Sequence, residues 1–307
     1  MQVILGAGGS IGRALVPHLY PHTDRVRLVA RRPSSVTEHD ELFPADLLDA
    51  TACTRAVAGA EVAYLTVGLP YRAAVWEQQW IRLIDNVLSA CATHGTRLVF
   101  FDNVYMYDPD RLDGMTETTP IRPTSRKGRV RAAVAERVRE AHRTGRVKTC
   151  IARAADFYGP NLQNSLLLET VVRPLAAGKT ANWLGRADVA HNFTYTPDAA
   201  RAVALLGNRP DTFGDVWHLP TVAEAPTGRE WVARFATALG VPPKFRTIHT
   251  TTVRLLGLFN ADMRELREML YQNNRPYRFD SSKFERTFGV EPTPYAEGIR
   301  TVVAALG

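Results

Sequence analysis

Short apolar runs alternate with helical stretches through the first half of the chain, and no other feature constrains its fold as strongly. The runs are QVIL, VRLVA, EVAYLTVG, RLVFFDN and KTCIARAADFYG, and each of the first four is followed by a segment of amphipathic helical character. Strands that are apolar on both faces are typical of a parallel sheet covered by helices on both sides. The alternation therefore predicts an α/β fold with a doubly wound parallel sheet, whose strands all end at one edge.

A glycine-rich loop, GAGGSIG, follows the first strand and opens the first helix, which is predicted to begin at Ser10. Gly6 permits a tight turn, Gly9 lets the backbone approach a pyrophosphate, and Gly12 lets the helix pack closely on the sheet. Ser10 and Ile11 then lie at the helix N-terminus, whose partial positive charge attracts phosphate. The loop predicts a Rossmann-type dinucleotide site.

The end of the second predicted strand, VRLVARRP, bears on which dinucleotide would bind. A chain that binds NAD commonly has an Asp or Glu here, which binds the 2′-hydroxyl of the adenosine ribose. This chain has Ala30, Arg31 and Arg32. No carboxylate would repel a 2′-phosphate, and a guanidinium can bind one with charge-assisted hydrogen bonds of about 1.5–3 kcal/mol each. We expect NADP(H) to be preferred; the alternative is a pair of solvated arginines at a strand end.

The regular alternation stops near Phe157. The remaining chain consists of pieces bounded by Pro and Gly, such as GVPPKFRT, with one late strand in DVWHLP. We therefore predict an NADP-binding Rossmann domain over residues 1–157, to which strands near 190–220 return. A smaller C-terminal lobe over residues 158–307 would mainly bind substrate.

Composition and charge argue against several classes of protein. A chain of 307 residues with 45% hydrophobic residues can bury a large core, and no stretch approaches the ~20 apolar residues that a membrane span needs. The formal net charge of +7 comes from arginines scattered among acidic residues, which does not indicate nucleic-acid binding. Three isolated cysteines lack the spacing of a metal or redox site. Because the first strand follows Met1 directly, leaving no room for a signal peptide, we expect a cytoplasmic location.

Six motifs, taken in order, resemble the extended short-chain dehydrogenases/reductases, which are the NAD-dependent epimerases and dehydratases. They are GAGGSIG, ADLLD, VAYLTVG, LVFFDNVYMY, ARAADFYGP and HNFTYTPDAARA. The resemblance extends over nearly the whole chain. It implies that Asp46 and Leu47 lie beside the adenine of the cofactor. It also implies that Thr66, Val67 and Gly68 belong to the strand that passes under the cofactor.

The chain departs from this resemblance at the catalytic positions. The family's Ser or Thr that polarises the substrate carbonyl corresponds to Asn103, and its Tyr-x-x-x-Lys pair corresponds to Lys127 and Arg131. In the family's usual mechanism the tyrosine exchanges a proton with the substrate oxygen, while the lysine lowers the tyrosine pKa and holds the ribose. Arg131 could still bind ribose or phosphate, but a permanently charged guanidinium relays protons poorly.

Tyr105 is the predicted replacement for the missing acid. If the fifth strand continues through residues 103–107, alternate side chains bring Asn103, Tyr105 and Tyr107 to one side. We predict that Tyr105 supplies the proton and that Asn103 orients the substrate oxygen through its amide. Lys127 would lower the Tyr105 pKa or bind the cofactor ribose. The alternative is that Tyr105 is a packed aromatic side chain.

The resemblance also implies which residues face the substrate. They are Tyr107, Tyr158, Asn161 and His191. Asn164 and Ser165 could continue the loop that Asn161 begins, although ordinary turn chemistry explains these residues equally well. His191 matches a position where the family often has a basic residue near the substrate. A single histidine before a strand is, however, more often satisfied within the fold.

Three functions remain open at this point. The first is an NADP(H)-dependent oxidoreductase or epimerase/isomerase that acts on a small carbonyl or hydroxyl substrate with non-standard acid/base residues. The second is a non-catalytic NADP(H)-binding redox sensor or regulator. The third is a cofactor-fold scaffold for chemistry without hydride transfer.

The resemblance further implies a homodimer. Extended family members pack two long helices of each subunit into a four-helix interface, and these correspond to the regions Trp76–Thr93 and Lys127–His142. Trp76 and Trp80 lie at positions i and i+4 of the first helix, which usually indicates packing within the chain and here could indicate a dimer face.

Overall fold

The computed structural model describes residues 1–162, 165–257 and 260–306. Its strands are β1 (Gln2–Leu5), β2 (Val26–Ala30), β3 (Glu41–Pro44), β4 (Val62–Leu65), β5 (Arg97–Asp102), β6 (Asp113–Met115), β7 (Thr149–Arg153), β8 (Asp156–Tyr158), β9 (Ala181–Leu184), β10 (Phe193–Tyr195), β11 (Val216–His218), β12 (Phe245–Ile248) and β13 (Arg278–Phe279). Its α-helices are α1 (Ser10–Leu19), α2 (Ala50–Val57), α3 (Ala73–His94), α4 (Arg126–Arg143), α5 (Arg173–Ala176), α6 (Thr196–Asn208), α7 (Gly228–Leu239), α8 (Thr250–Leu256), α9 (Ala261–Arg267), α10 (Ser282–Phe288) and α11 (Tyr295–Ala304).

Within the described residues, seven strands form one parallel sheet in the order β11-β7-β5-β4-β1-β2-β3. Every residue of β1 and β4 is buried, as expected for strands covered on both faces. The chain runs from β1 outward to β3 and then returns to β4 on the other side of β1. The strand order therefore reverses between β1 and β4, which is the switch point of a doubly wound fold. The predicted fold class is confirmed.

Helices α2, α3 and α4 supply much of the core beside this sheet, with residues such as Cys53, Ile84 and Val134. Trp76 and Trp80 belong to the same core. They are only 6% and 2% exposed, and their rings meet edge to face with centroids 6.1 Å apart. The tryptophan pair therefore packs within the chain, and it does not supply a dimer face.

Two compact units divide the chain, and each consists of three segments. Unit 1 contains Met1–Met106, Lys127–Ala154 and Pro197–Leu219, and unit 2 contains Tyr107–Arg126, Ala155–Thr196 and Pro220 onward. Of the strands near 190–220, β11 joins the large sheet beside β7, whereas β10 pairs with β8 in unit 2. The two units alternate along the sequence, and the chain first enters unit 2 at Tyr107. One boundary near residue 157 does not describe this alternation.

Unit 2 has three small parallel pairs of strands in its described part, namely β8 with β10, β9 with β12 and β6 with β13. Its core is aromatic. The Trp231 ring lies 5.1 Å from Phe193, 4.6 Å from Tyr295 and 5.6 Å from Tyr158, measured between centroids. These strand pairs are too short to be stable alone, so the aromatic core stabilises them.

The three cysteines are packed inside the fold. Cys53, Cys91 and Cys150 are buried and free, and burial raises the pKa of Cys53 and of Cys150 to about 12. The described ranges contain no group of acidic, His and Cys side chains that could hold a metal ion. They also contain no helix that is both long enough and apolar enough to cross a membrane.

Candidate functional site

Two glycines shape the loop between β1 and α1. Gly6 has a φ of +101°, in the left-handed region, and a Cβ there would lie 2.6 Å from the Val67 amide nitrogen. A Cβ on Gly12 would lie 2.8 Å from the Gly6 carbonyl oxygen and 2.9 Å from Thr66 Oγ1. A side chain at either position would force the loop away from β4. Glycine therefore holds the first turn of α1 close to the switch point of the sheet.

The N-terminus of α1 is open to an anion. Gly9 is the N-cap residue, and the helix that begins at Ser10 has neither a side-chain cap nor an acidic residue in its first turn, as far as the structure describes it. A Cβ on Gly9 would meet nothing closer than 3.7 Å. Ser10 is half-buried and Ile11 is buried. No side-chain carboxylate of this turn thus competes with a phosphate for the helix amides.

Arg31 and Arg32 lie directly after β2, at the same edge of the sheet. Both are exposed, and together with Ala30 they line an open cavity of about 560 Å³. Neither guanidinium forms a hydrogen bond or an ion pair with any residue that the structure describes. Two uncommitted guanidiniums beside a cavity form a site suited to an anionic group.

Asp46 and Leu47 lie in the turn between β3 and α2. Asp46 is exposed, and its Oδ1 accepts a hydrogen bond from the Leu48 amide at 3.0 Å. Leu47 is buried, and its carbonyl oxygen accepts a hydrogen bond from the Asn86 side chain at 2.9 Å. This turn is therefore fixed by local hydrogen bonds while the Asp46 carboxylate remains open to solvent.

The residues after β4 adjoin the glycine loop. Thr66 is buried, its amide donates to the Leu5 carbonyl at 2.8 Å, and its Oγ1 lies 3.4 Å from the carbonyl oxygens of Leu5 and Gly6. Val67 is half-buried and packs on Gly6, whereas Gly68 is exposed with open space around its Cα. The ends of β1 and β4 thus form one continuous surface.

Strand β5 ends at Asp102, so the alternation of side chains does not extend through residues 103–107. The prediction that Asn103, Tyr105 and Tyr107 share one side of a strand is wrong. Side-chain hydrogen bonds replace the strand, because Asp102 Oδ1 accepts from the Asn103 amide at 2.9 Å and Asn103 Oδ1 accepts from the Tyr105 amide at 3.0 Å. The Asn103 side-chain NH₂ has no hydrogen-bond partner in the part of the chain that the structure describes. It is available as a donor to a ligand.

Tyr105 belongs to an aromatic cluster with Tyr71 and Trp76. The half-buried Tyr105 ring stacks on Trp76 with centroids 6.2 Å apart and an interplanar angle of 16°. Tyr71 meets the rings of Trp76 and Tyr105 edge to face, at 5.8 Å and 6.4 Å. Lys127 is fully buried and its Nζ lies 4.5 Å from the Tyr71 ring centroid, a cation–π geometry. The aromatic cluster therefore places a cation and two phenols together.

Arg131 is held in a buried ion pair. Its guanidinium donates from Nε to Asp102 Oδ1 at 2.8 Å and from Nη2 to the same oxygen, and it lies 4.5 Å from the Trp80 ring centroid. Arg153 Nε donates to Asp102 Oδ2 at 3.3 Å. Arg131 is only 3% exposed. The Arg131 charge is thus directed at Asp102, and the ribose- or phosphate-binding role of Arg131 stays a prediction.

Sequence reasoning did not identify Asp102, Arg153 or Tyr71 as members of this region. A signal for Asp102 was present, since a lone carboxylate after the apolar run RLVFF is rarely buried without a cationic partner. No signal pointed to Tyr71, which lies in an irregular segment after β4.

Two residues predicted to face the substrate are buried in unit 2. Tyr107 and Tyr158 are each 0% exposed. The Tyr158 ring packs against Tyr195 at 5.2 Å and its hydroxyl lies where a Cβ on Gly298 would be, 2.4 Å away. Both side chains are thus packed within the fold, and a substrate-lining role for Tyr107 and Tyr158 stays a prediction.

The loop after Tyr158 contains both exposed and buried residues. Asn161 is exposed and has a φ of +53°, which asparagine tolerates better than most residues. Ser165 is buried and donates from its Oγ to the Phe157 carbonyl at 2.9 Å, which is turn chemistry. Asn164 lies outside the described residues. Asn161 thus stays a prediction as a substrate contact.

His191 forms a pair with Asp156. His191 is 1% exposed, its Nε2 lies 2.9 Å from Asp156 Oδ2, and its ring stacks on Tyr277 with centroids 4.3 Å apart. The Asp156 side chain is 31% exposed. The histidine ring is thus held within the fold by Asp156 and Tyr277, and its role as a substrate contact stays a prediction.

A family model described as the NAD dependent epimerase/dehydratase family matches residues 2–218. Among curated proteins, a 3beta-hydroxysteroid-dehydrogenase/decarboxylase, isoform 2, of Arabidopsis thaliana is 24% identical over 293 residues, which cover 86% of this chain and 51% of that protein. The chain thus spans about half the length of this relative.

Solved structures share the fold over almost the whole chain. A dTDP-glucose 4,6-dehydratase from Streptomyces venezuelae, solved as a double mutant with NAD bound, is 20% identical with a TM-score of 0.81, covering 99% of this chain and 96% of that one. A UDP-glucose 4-epimerase from Thermus thermophilus, in complex with NAD, is 19% identical with a TM-score of 0.78, covering 99% and 98%.

Proposed function

This chain belongs to the NAD-dependent epimerase/dehydratase family, and from that premise we propose that it is an enzyme that uses NADP(H) to oxidise, reduce or isomerise a small carbonyl or hydroxyl substrate. One observation carries the proposal. The glycine loop follows β1 at the switch point of the sheet, and at the same edge Arg31 and Arg32 line a cavity without an ion pair. Residues other than the family's usual tyrosine and lysine would then transfer the proton.

The residues at this edge fit a nicotinamide dinucleotide. Gly6 and Gly12 leave space that a Cβ would fill, and the amides at Ser10 and Ile11 begin a helix without a side-chain cap. The related structures named above were solved with NAD, and their likeness supports a cofactor of this class. The finer choice of NADP(H) rests on Arg31 and Arg32, which offer a 2′-phosphate two permanent charges.

The chain's own residues would handle the substrate oxygen. When bound, the cofactor supplies hydride transfer at its nicotinamide ring. The Asn103 NH₂ donates a hydrogen bond to the substrate oxygen. The Tyr105 hydroxyl gives that oxygen a proton during reduction, and in the oxidation direction the Tyr105 phenolate accepts the proton from the substrate hydroxyl. Lys127, over the Tyr71 ring of the same cluster, favours the phenolate form because a nearby cation stabilises negative charge.

One observation favours the second candidate, a non-catalytic NADP(H)-binding sensor. Arg131, at the position that matches the family's lysine, is directed into the ion pair with Asp102 instead of toward solvent. A chain that keeps the cofactor loop but uses Arg131 for stability can bind a cofactor without oxidising or reducing it. Binding of NADP(H) with no turnover on a broad panel of carbonyls and enones would identify this function.

We expect NADP(H) to bind at least about tenfold more tightly than NAD(H), because one or two charge-assisted hydrogen bonds to the 2′-phosphate contribute on the order of 1.4 kcal/mol or more. Arg31→Ala should remove most of this preference. Isothermal titration calorimetry with all four cofactor forms measures it, together with oxidation of NADPH by the carbonyl panel.

Arg25→Ala is the matched control for this experiment, since Arg25 precedes the same strand and its guanidinium is paired with Glu41 at 3.0 Å. It should leave the cofactor preference unchanged. Equal affinities for NAD(H) and NADP(H) in the unmodified protein would contradict the proposed cofactor choice, without bearing on whether the chain is an enzyme.

We also expect a homodimer with a two-fold axis formed by α3 and α4. The two helices are neighbours within unit 1, because Asp85 of α3 and Arg137 of α4 form an ion pair at 3.4 Å. The surface of α4 is rich in arginine, so the interface would be more polar than most homodimer interfaces. Light scattering coupled to size exclusion at micromolar concentration should give twice the chain mass, and a single monomeric species would contradict the expectation.

A further inference from the structure

A second open cavity lies in unit 1, at the edge of the sheet where the strands begin. It has a volume of about 380 Å³, and its lining includes Glu61, Arg97, Arg146 and Lys148. Glu61 precedes β4, Arg97 begins β5, and Lys148 precedes β7. The cofactor loop follows the end of β1, at the opposite edge of this parallel sheet. The second cavity is therefore separate from the proposed cofactor site.

Three cationic side chains line this cavity, and none is paired with a carboxylate. Arg97 is half-buried, with its guanidinium 5.3 Å from the Phe213 ring centroid, and Arg146 Nη2 donates to Ser89 Oγ at 2.8 Å. Within the described residues, Arg97, Arg146 and Lys148 form no ion pair. The carboxylate of Glu61 contacts the Met1 amino group at 3.7 Å instead.

The arginines of this cavity lack a carboxylate partner, whereas several exposed arginines elsewhere form ion pairs. These are Arg143 with Glu140, Arg173 with Glu169, Arg186 with Asp188, and Arg209 with Asp211. Arg31 and Arg32, at the proposed cofactor site, also line an open cavity without an ion pair to any residue that the structure describes. The same arrangement thus occurs at both edges of one sheet.

Helix ends do not account for this positive charge. Helices α3 and α4 end near the cavity, and cations are favourable at helix C-termini. Some of their last carbonyls, however, are bonded to backbone amides, because Cys91 accepts from Gly95 and Thr96, and Ala141 accepts from Val147. The two partial dipole charges offset about one positive charge of the three.

We propose that this cavity binds a small polyanion, a metabolite with phosphate or several carboxylate groups, at a site that is distinct from the cofactor site and independent of the proposed function. The guanidiniums of Arg97 and Arg146 would donate paired hydrogen bonds to its oxygens, and Lys148 would add a compact point charge.

Lysine footprinting tests this site without interference from the cofactor edge. The folded protein is acetylated with a lysine-specific reagent, with and without 5 mM inorganic pyrophosphate at matched ionic strength, and the modified peptides are quantified by mass spectrometry. We expect pyrophosphate to slow acetylation of Lys148 about threefold, because a bound anion covers the amine and favours its protonated form. Citrate in place of pyrophosphate distinguishes a carboxylate site from a phosphate site: stronger protection by one of them names the ligand class.

Lys179 and Lys244 are internal controls, since both are exposed and neither lines the cavity. Arg146→Gln should reduce the protection of Lys148, and Arg97→Gln combined with Arg146→Gln should abolish it, each measured as a ratio with and without pyrophosphate. Arg209→Gln, which removes an exposed paired arginine elsewhere, should leave the ratio unchanged. Unaltered acetylation of Lys148 in both anions, or equal protection of the two control lysines, would overturn the proposal.

Discussion

Tyr105→Phe should lower kcat by roughly 10²–10⁴, the usual contribution of general acid catalysis, while NADP(H) affinity stays nearly unchanged. The substitution removes only the hydroxyl, so the ring can keep its stack on Trp76. The loss should appear in kcat and in kcat/KM together, because the proton is transferred in the transition state and not in the bound ground state. Steady-state kinetics with a carbonyl or enone that supports turnover measures it.

Tyr71→Phe is the matched control, because it removes a second phenol from the same cluster and keeps a ring beneath the Lys127 ammonium. It should change kcat by no more than about threefold, which is well below the effect expected of an acid. Full activity of Tyr105→Phe would remove Tyr105 from the mechanism and direct attention to Lys127. If Tyr71→Phe alone is inactive, Tyr71 is the acid.

Arg131→Met should destabilise the protein by about 3 kcal/mol, near the lower end of the cost of breaking a buried ion pair. Asp102 is 2% exposed and loses its closer partner, while Arg153 still donates to its other oxygen at 3.3 Å and limits the loss. Methionine retains the apolar stem against Trp80, so little of the effect comes from packing. Urea denaturation followed by fluorescence gives the free energy of unfolding.

Arg143→Met is the control for this prediction, since Arg143 lies at the end of the same helix and pairs with Glu140 in solvent. It should produce no measurable change, because ion pairs between exposed side chains contribute little. Arg131→Lys should be milder than Arg131→Met, because an ammonium keeps the charge but not the paired geometry of the guanidinium. An unchanged unfolding curve for Arg131→Met would show that the ion pair does not stabilise the fold.

The sequence allowed the sheet to be predicted because its strands are buried on both faces. A short apolar run such as QVIL, followed by a glycine loop and then a helix, is typical of a buried parallel strand. β1 and α1 lie where this pattern predicts them. The division into units was harder to predict. Residues 107–126 carry no compositional break, and their place in unit 2 depends on contacts such as the pairing of β6 with β13, which are distant in sequence.

The candidate site was predicted in part, and local hydrogen bonds explain most of the departures of the structure from the prediction. Val-Tyr-Met-Tyr after β5 has strand propensity, yet the Asn103 side chain captures the Tyr105 amide and ends the ladder. Propensity cannot anticipate which asparagine will do this. Similarly, Tyr158 lies in a motif that resembles a substrate-binding element, but its burial depends on Trp231, more than seventy residues later in the chain.

The late return of β11 has a consequence for synthesis. Unit 1 is completed only when Pro197–Leu219 is available, since β11 is the neighbour of β7 at the edge of the sheet. From Arg153 to the end of that segment at Leu219 the ribosome must add 66 residues, which takes about 3–13 s at ordinary elongation rates. Throughout this interval the nascent chain presents the unpaired edge of β7, a template for association with other chains. Synonymous codon changes that slow translation between residues 154 and 219 should therefore reduce the yield of folded protein, although the protein sequence stays the same.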